Sequence, residues 1–90
     1  MNFEWDSKKA EANFRKHGVT FDEAASVFLD FLAISGPDPD HSIGEHRFIT
    51  FGQSSVGRPV VVHHTHRPGT IRIFSVRRMT RGERKVYEEG

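Results

Sequence analysis

The chain contains no cysteine, so neither a disulfide nor a thiolate metal site is open to it. It has no apolar run near the roughly 18 residues of a membrane-spanning helix. The opening Met1-Asn2-Phe3-Glu4-Trp5-Asp6 lacks the basic start and apolar middle of a signal peptide. These absences lead to the expectation of a soluble, cytoplasmic protein. A phosphate-binding glycine loop, a nucleophile elbow and a zinc-protease motif are also missing, which excludes the chemistries tied to them. No repeat or low-complexity tract divides the 90 residues, and one domain spanning 1–90 is expected. A domain of this size buries only about 60–65% of the surface its unfolded chain exposes. That leaves little room for an enclosed pocket, so the working surface should be an open face or a shallow groove.

Net charge is nearly absent as well, at +1, but its distribution is uneven. Residues 1–45 carry four Lys/Arg against nine Asp/Glu, and residues 46–90 carry nine against three. Eight of the nine C-terminal cations are arginine, whose planar fork suits phosphate or carboxylate. The asymmetry points to an anionic partner for the second half. A mixed, solvated surface explains the same counts equally well.

Local signals give the order of elements. Asp6 caps a first helix that should stop at Gly18, with Lys16 and His17 in its last turn. Thr20 and Glu23 have capping-box spacing. Phe21, Ala24, Ala25 and Phe28 then follow one helix face, extended by Leu29. Residues 31–35 read as a short strand. Residues 36–42, with two prolines, a glycine and two aspartates, read as a surface loop. Strands follow at 47–51, 58–66 and 70–77, joined by a glycine-bounded connection and a Pro-Gly turn. Thr80 and Glu83 open a C-terminal helix with a second capping box. Residues 3–5 add an optional edge strand. The expected fold is α+β: two N-terminal helices, a mainly antiparallel four-stranded sheet and a C-terminal helix, with the helices on one sheet face.

Strand alternation places Val60, Val62, His64 and His66 on one face and Val61, His63 and Thr65 on the other. On the last strand Ile71, Ile73, Ser75 and Arg77 share a face, opposite Arg72, Phe74 and Val76. His64 and His66 could meet one metal ion, with His41 or His46 as a third ligand, but polar surface histidines are the stronger reading. A single histidine acting as acid or base fits better, because its pKa lies near neutrality. Asp38, Asp40 and Glu45 lack EF-hand spacing, so turn formation accounts for them. Arg77, Arg78, Arg81 and Arg84 crowd a strand-to-helix junction.

The chain as a whole resembles the BrnT family of type II toxins. The resemblance rests on Phe3-Glu4-Trp5-Asp6, Lys9-Ala10, Asn13, Lys16-His17-Gly18-Val19 and Phe21. It continues through Asp38-Pro39-Asp40-His41-Ser42, Glu45, Arg47, Gly57-Arg58, Val62-His63, Arg72-Ile73 and Ser75-Val76-Arg77. Glu83-Arg84 and Tyr87-Glu88 close it. Val76 and Met79 stand where the family favours alanine, and neither change removes a polar group. The resemblance implies a RelE-like fold and ribonuclease toxicity. It also implies neutralisation by a DNA-binding BrnA-type antitoxin, with the complex repressing its own operon. Operator DNA would be reached only through the antitoxin, and the assembly would be a homodimer or a heterotetramer with it.

Metal-independent RNA cleavage would use the substrate's 2′-OH as nucleophile. It needs a base, cations on the phosphorane-like transition state and an acid for the leaving oxygen. The expected catalytic residues are Arg58 and Arg77 for phosphate, with Arg47 contributing, and Glu45 or His63 for proton transfer. Lys9, Arg81 and Tyr87 are expected to position substrate. No cofactor or metal is expected. Two alternatives use the same surface: a non-catalytic binding module, and an inactive co-repressor that binds an antitoxin-like partner.

Overall fold

A computed structural model describes residues 1–41, the side chain of His41 apart, and residues 44–90. Strand β1 (Asn2–Glu4) leads into helix α1 (Ser7–His17), and helix α2 (Phe21–Ser26) continues as a 3-10 turn over Val27–Leu29. Strand β2 (Ile34–Pro37) and a 3-10 turn at Pro39–His41 follow. Strands β3 (Arg47–Gln53), β4 (Pro59–Arg67) and β5 (Thr70–Arg78) precede helix α3 (Arg81–Glu89). No helix among the described residues is long and apolar enough to cross a membrane.

The sheet differs from the expected four antiparallel strands. It has five, in the order β1-β5-β4-β3-β2, and it is mixed, because β1 pairs with β5 in parallel. The optional edge strand is therefore part of the sheet. Phe3 explains why: its side chain packs against the core and against the Phe28 ring at 5.5 Å. The fourth expected strand is shifted. Phe31 and Leu32 lie in a turn, and β2 takes in Gly36 and Pro37, which the loop reading had assigned to irregular chain. Proline is tolerated there because β2 is an edge strand, pairing only with β3. Within the rest of that loop reading, Ser42 lies outside the described residues.

Helices α1 and α2 cover one sheet face. Val19, Phe21, Ala24 and Val27 meet Val60, Val62, Ile73 and Val76 there, all nearly inaccessible to solvent. The helical caps form as expected: Asp6 accepts from the N–H groups of Lys8 and Lys9, and Gly18 ends α1 at φ 70°. The closest approach is at Gly52, where an added Cβ would sit 2.6 Å from Val27 Cγ1, so only glycine lets the 3-10 turn reach β3. Asn13 is buried and stands in for a strand at the open edge of β5. It donates to Val76 O at 2.9 Å and accepts from Val76 N at 3.0 Å.

Two more expectations are corrected here. Helix α3 does not join the other helices. It packs on the opposite face, beside Phe51 and Ile34, because its Glu83 pairs with Arg77, which points away from the core. The alternation along β5 also breaks. His63 pairs with Ser75 but His64 pairs with Ile73, so Phe74 is an extra residue in a bulge. The bulge puts Ile71, Ile73 and Val76 toward the core and leaves Phe74, Ser75 and Arg77 together on the other face.

Candidate functional site

On the sheet face that carries α3, a second feature is a pair of side chains, His63 and Asp38. His63 lies midway along β4, between Ile49 of β3 and Ser75 of β5. Its Nδ1 is 3.2 Å from Asp38 Oδ2. Asp38 immediately follows β2 and donates its main-chain N–H to Arg47 O at 2.8 Å, so its carboxylate is fixed by the sheet. Asp38 is buried, with 4% of its side chain exposed, while His63 keeps 23%. A carboxylate only accepts, so Nδ1 is the donor in this contact. The contact orients a histidine ring that is partly exposed.

Arg47 opens β3 on the same face. Its guanidinium lies 4.0 Å from the centroid of the Phe74 ring, a cation–π stack made possible by the β5 bulge. Lys9 reaches the same ring from α1, with Nζ at 5.9 Å. Phe74 thus gathers two cations beside the histidine. Arg77 stands further along β5. It donates two bonds to Glu83, at 2.7 and 2.9 Å. That contact, with the Thr80 N–H, holds the Glu83 carboxyl down at about 2 against the burial that opposes it. The bidentate pair ties α3 to the sheet and engages the Arg77 guanidinium.

An oriented histidine, a stacked arginine and a further arginine on one sheet face are groups that can move a proton and stabilise anionic oxygen. The family model described as "Ribonuclease toxin, BrnT, of type II toxin-antitoxin system" matches residues 5–83. The chain belongs to this family. Its fold is similar to that of the Brucella abortus ribonuclease toxin BrnT, known from a 1.1 Å crystal structure. The TM-score is 0.71 at 24% identity, over 90% of this chain and 99% of that one. No curated protein matches the chain.

Not every residue expected at a BrnT ribonuclease site is near His63. Arg58, at the start of β4, donates through Nε to Glu23 at 2.9 Å, pairs with it again through Nη2, and reaches Gly18 O. It clamps α2 to the sheet. Its neighbour Ser54 donates to the same carboxylate, and these contacts hold Glu23 below the usual carboxylate range. Glu45 lies just ahead of β3 and is 3.7 Å from Arg67. Arg81 sits in the first turn of α3, in a cleft with Arg58, Arg78 and Arg84. Tyr87 donates to Asp30, which pushes its hydroxyl up to about 12 and fastens the far end of α3.

His64, next to His63, points into the other face. It is buried against Phe28 and Phe48, and its Nε2 is 2.7 Å from Thr50 Oγ1. Burial, with the charges of His66 and His63, lowers its pKa to about 4. The rings of His64 and His66 are 5.1 Å apart, as a shared face requires. Among the described residues no three His, Asp or Glu side chains gather closely enough to hold a metal ion.

The reading of residues alone missed Asp38 and Phe74. The Asp-Pro-Asp composition is a sound turn signal, and nothing local says which aspartate will be buried. For Phe74 the only hint was a polar Ser75 in an otherwise apolar alternation.

Proposed function

We propose that this BrnT-family chain is a RelE-like, metal-independent endoribonuclease that acts in the cytoplasm. The Asp38–His63 pair, with His63 partly exposed, carries this reading. RNA laid across the face would present a 2′-OH to His63 Nε2. The imidazole takes that proton as the 2′-oxygen attacks the adjacent phosphorus, and the P–O5′ bond breaks. The products are a 2′,3′-cyclic phosphate and a 5′-hydroxyl, and the imidazolium returns a proton to the leaving oxygen. Asp38 holds the ring and stabilises its charged form, the role of the third group in a triad. Arg47 supports the negative phosphorane oxygens, and Lys9 adds to the same field from beside Phe74. Arg77 joins them when Glu83 releases it. Glu45 stands as a second proton-transfer residue at the entrance of β3, and Tyr87 serves through the placement of α3.

In this reading a BrnA-type antitoxin neutralises the toxin by covering the face. The complex represses its operon and touches operator DNA only through the antitoxin. The test is to incubate a defined RNA with the purified protein in EDTA, beside the His63→Gln and Arg47→Ala forms. Cleavage with cyclic-phosphate ends that disappears in both variants is the expected result. Cleavage by folded His63→Gln at the wild-type rate would remove His63 from the chemistry. A folded wild type that binds antitoxin but never cleaves RNA would make the chain a co-repressor.

A further inference from the structure

Most arginines of the described residues are matched by carboxylates. Arg15 pairs with Glu11, Arg58 with Glu23, Arg67 and Arg72 with Glu4, Arg77 with Glu83 and Arg84 with Glu88. Among the described residues, Arg78 and Arg81 have no carboxylate within ion-pairing distance. Both line one cleft of about 350 Å³, built from three segments of chain. Arg58 and Pro59 come from the start of β4, Arg78, Met79 and Thr80 from the end of β5, and Arg81 and Arg84 from α3. The backbone there is fixed, since Met79 N donates to Pro59 O at 3.0 Å and Thr80 N to Glu83 at 2.8 Å.

The chemistry of the cleft is specific. Four arginine side chains line one concavity, against the Glu23 carboxylate that pairs with Arg58 and also acts on Arg78, and the Glu88 carboxylate that pairs with Arg84, so cations outnumber the acids there. Pro59 and Met79 give it an apolar part. A small anion with a flat apolar portion suits this better than a long acidic peptide, which would need a groove with successive side-chain pockets. The position matters too. Arg78 is three residues along β5 from Ser75, the partner of His63, or roughly 10 Å at strand rise, but it pairs with the core residue Val60 and so lies on the other face of the strand. A single RNA strand with its reacting phosphate at His63 would reach the cleft by rounding the end of the sheet, where Arg81 begins α3.

We propose that this cleft is a subsite for a backbone phosphate of single-stranded RNA, outside the cleavage position, with Arg78 and Arg81 as its ligands. The inference rests on the ribonuclease reading and deepens it: the cleft supplies substrate affinity and orientation, and the sheet face supplies the chemistry. Arginines on the sheet face are largely matched by Glu4, Glu45 and Glu83. Electrostatic attraction for the strand must then come in good part from the cleft.

The test uses a fluorescent single-stranded oligonucleotide carrying 2′-O-methyl groups, which binds but cannot be cut by 2′-OH attack. Binding is followed by anisotropy across a salt series for the wild type, Arg78→Ala/Arg81→Ala and Arg78→Lys/Arg81→Lys. The alanine form should bind at least about tenfold more weakly at low salt. Its log–log salt slope should be shallower by about 0.7, the contribution of one phosphate contact to a single strand. The lysine form, which keeps both charges, should retain most of the slope. Thermal melting confirms that both fold, and the lysine form decides the matter if the alanine form does not: a lysine form with a clearly shallower slope than the wild type would overturn a simple charge role. Equal affinity and slope in alanine and wild-type forms overturn the proposal, as does a wild type with no affinity for the strand. Unchanged RNA binding with lost binding of a Glu-rich peptide also overturns it and assigns the cleft to a protein partner. Parallel turnover of unmodified RNA separates the two readings: a wild type that binds with the expected slope but never cleaves supports the cleft and counts against the ribonuclease.

Discussion

His63 and His64 are adjacent in the chain and opposite in everything else. His63 lies on the sheet face opposite α1 and α2, beside a buried carboxylate, and is partly exposed. His64 lies under the 3-10 turn among Phe28 and Phe48, hydrogen-bonded to Thr50, and held neutral by burial down to about pH 4. The same side chain packs on one face and, in the proposed reading, serves chemistry on the other. What separates them is the two-residue period of a strand and which face the helices cover. An ionisable side chain takes its role from its neighbours, and strand neighbours alternate.

The contrast can be broken outright by exchanging the defects. His63→Gln should lower RNA turnover by about 10²- to 10⁴-fold, the usual contribution of a positioned acid–base group, while the melting temperature stays near that of the wild type. His64→Ala should do the reverse, costing about 2–4 kcal/mol of stability as a buried truncation and leaving turnover per folded molecule intact. Kinetics and thermal melting on the same two proteins decide it. If both variants lose the same property, the two faces are not functionally separate.

Acid sharpens the same comparison. The folded pKa of His64 lies below its unfolded value, so the folded state binds the proton less readily. Its contribution is complete above about pH 6.5 and is lost as pH falls toward 4. A shift from 6.5 to about 4 corresponds to about 3 kcal/mol. Urea melts across that window should show the decline in the wild type and a flatter profile in His64→Gln, which cannot titrate. An identical decline in both would place the acid sensitivity elsewhere.

Asp38→Asn is a finer probe, because it keeps the shape at His63 and removes the charge. The amide no longer enforces a proton on Nδ1, and turnover should fall by at least about tenfold with little change in RNA affinity. A rise in KM with kcat untouched would make Asp38 a binding residue instead. The smallest effect is expected at Glu83→Gln. Glutamine can still serve the capping box, so about 1 kcal/mol should be lost with the ion pair to Arg77. If Arg77 works on RNA, its release should leave turnover equal or higher. A fall in turnover would mark the pair as the form that positions α3 for activity.

Much of the frame was legible from local chemistry. The Thr80–Glu83 box forms with both of its hydrogen bonds, and Asp6 and Gly18 bound α1 as their side chains require. The Thr20–Glu23 spacing was half right. Thr20 accepts from Glu23 N, but the Glu23 carboxylate turns to Arg58 and Ser54, 35 and 31 residues away in sequence. The candidate site was legible in part. His63, Arg47 and Lys9 were singled out and converge on one region, while Arg58 has a clamp's surroundings. Asp38 was read as a turn residue because its partner is 25 positions distant.

The amino-acid sequence by itself determined the helix boundaries, the alternation of β3 and β4, the basic second half and the absence of any thiol chemistry. These follow from short-range sterics, capping bonds and composition, which need no knowledge of the rest of the chain. The tertiary structure alone decided that β1 completes a mixed sheet, that α3 crosses to the far face, and that a bulge brings Phe74 under Arg47. It also decided which aspartate meets His63 and which arginines are left without acids. Each of those depends on pairing between residues far apart in the chain, and the pairing is selected by the packing of the whole core.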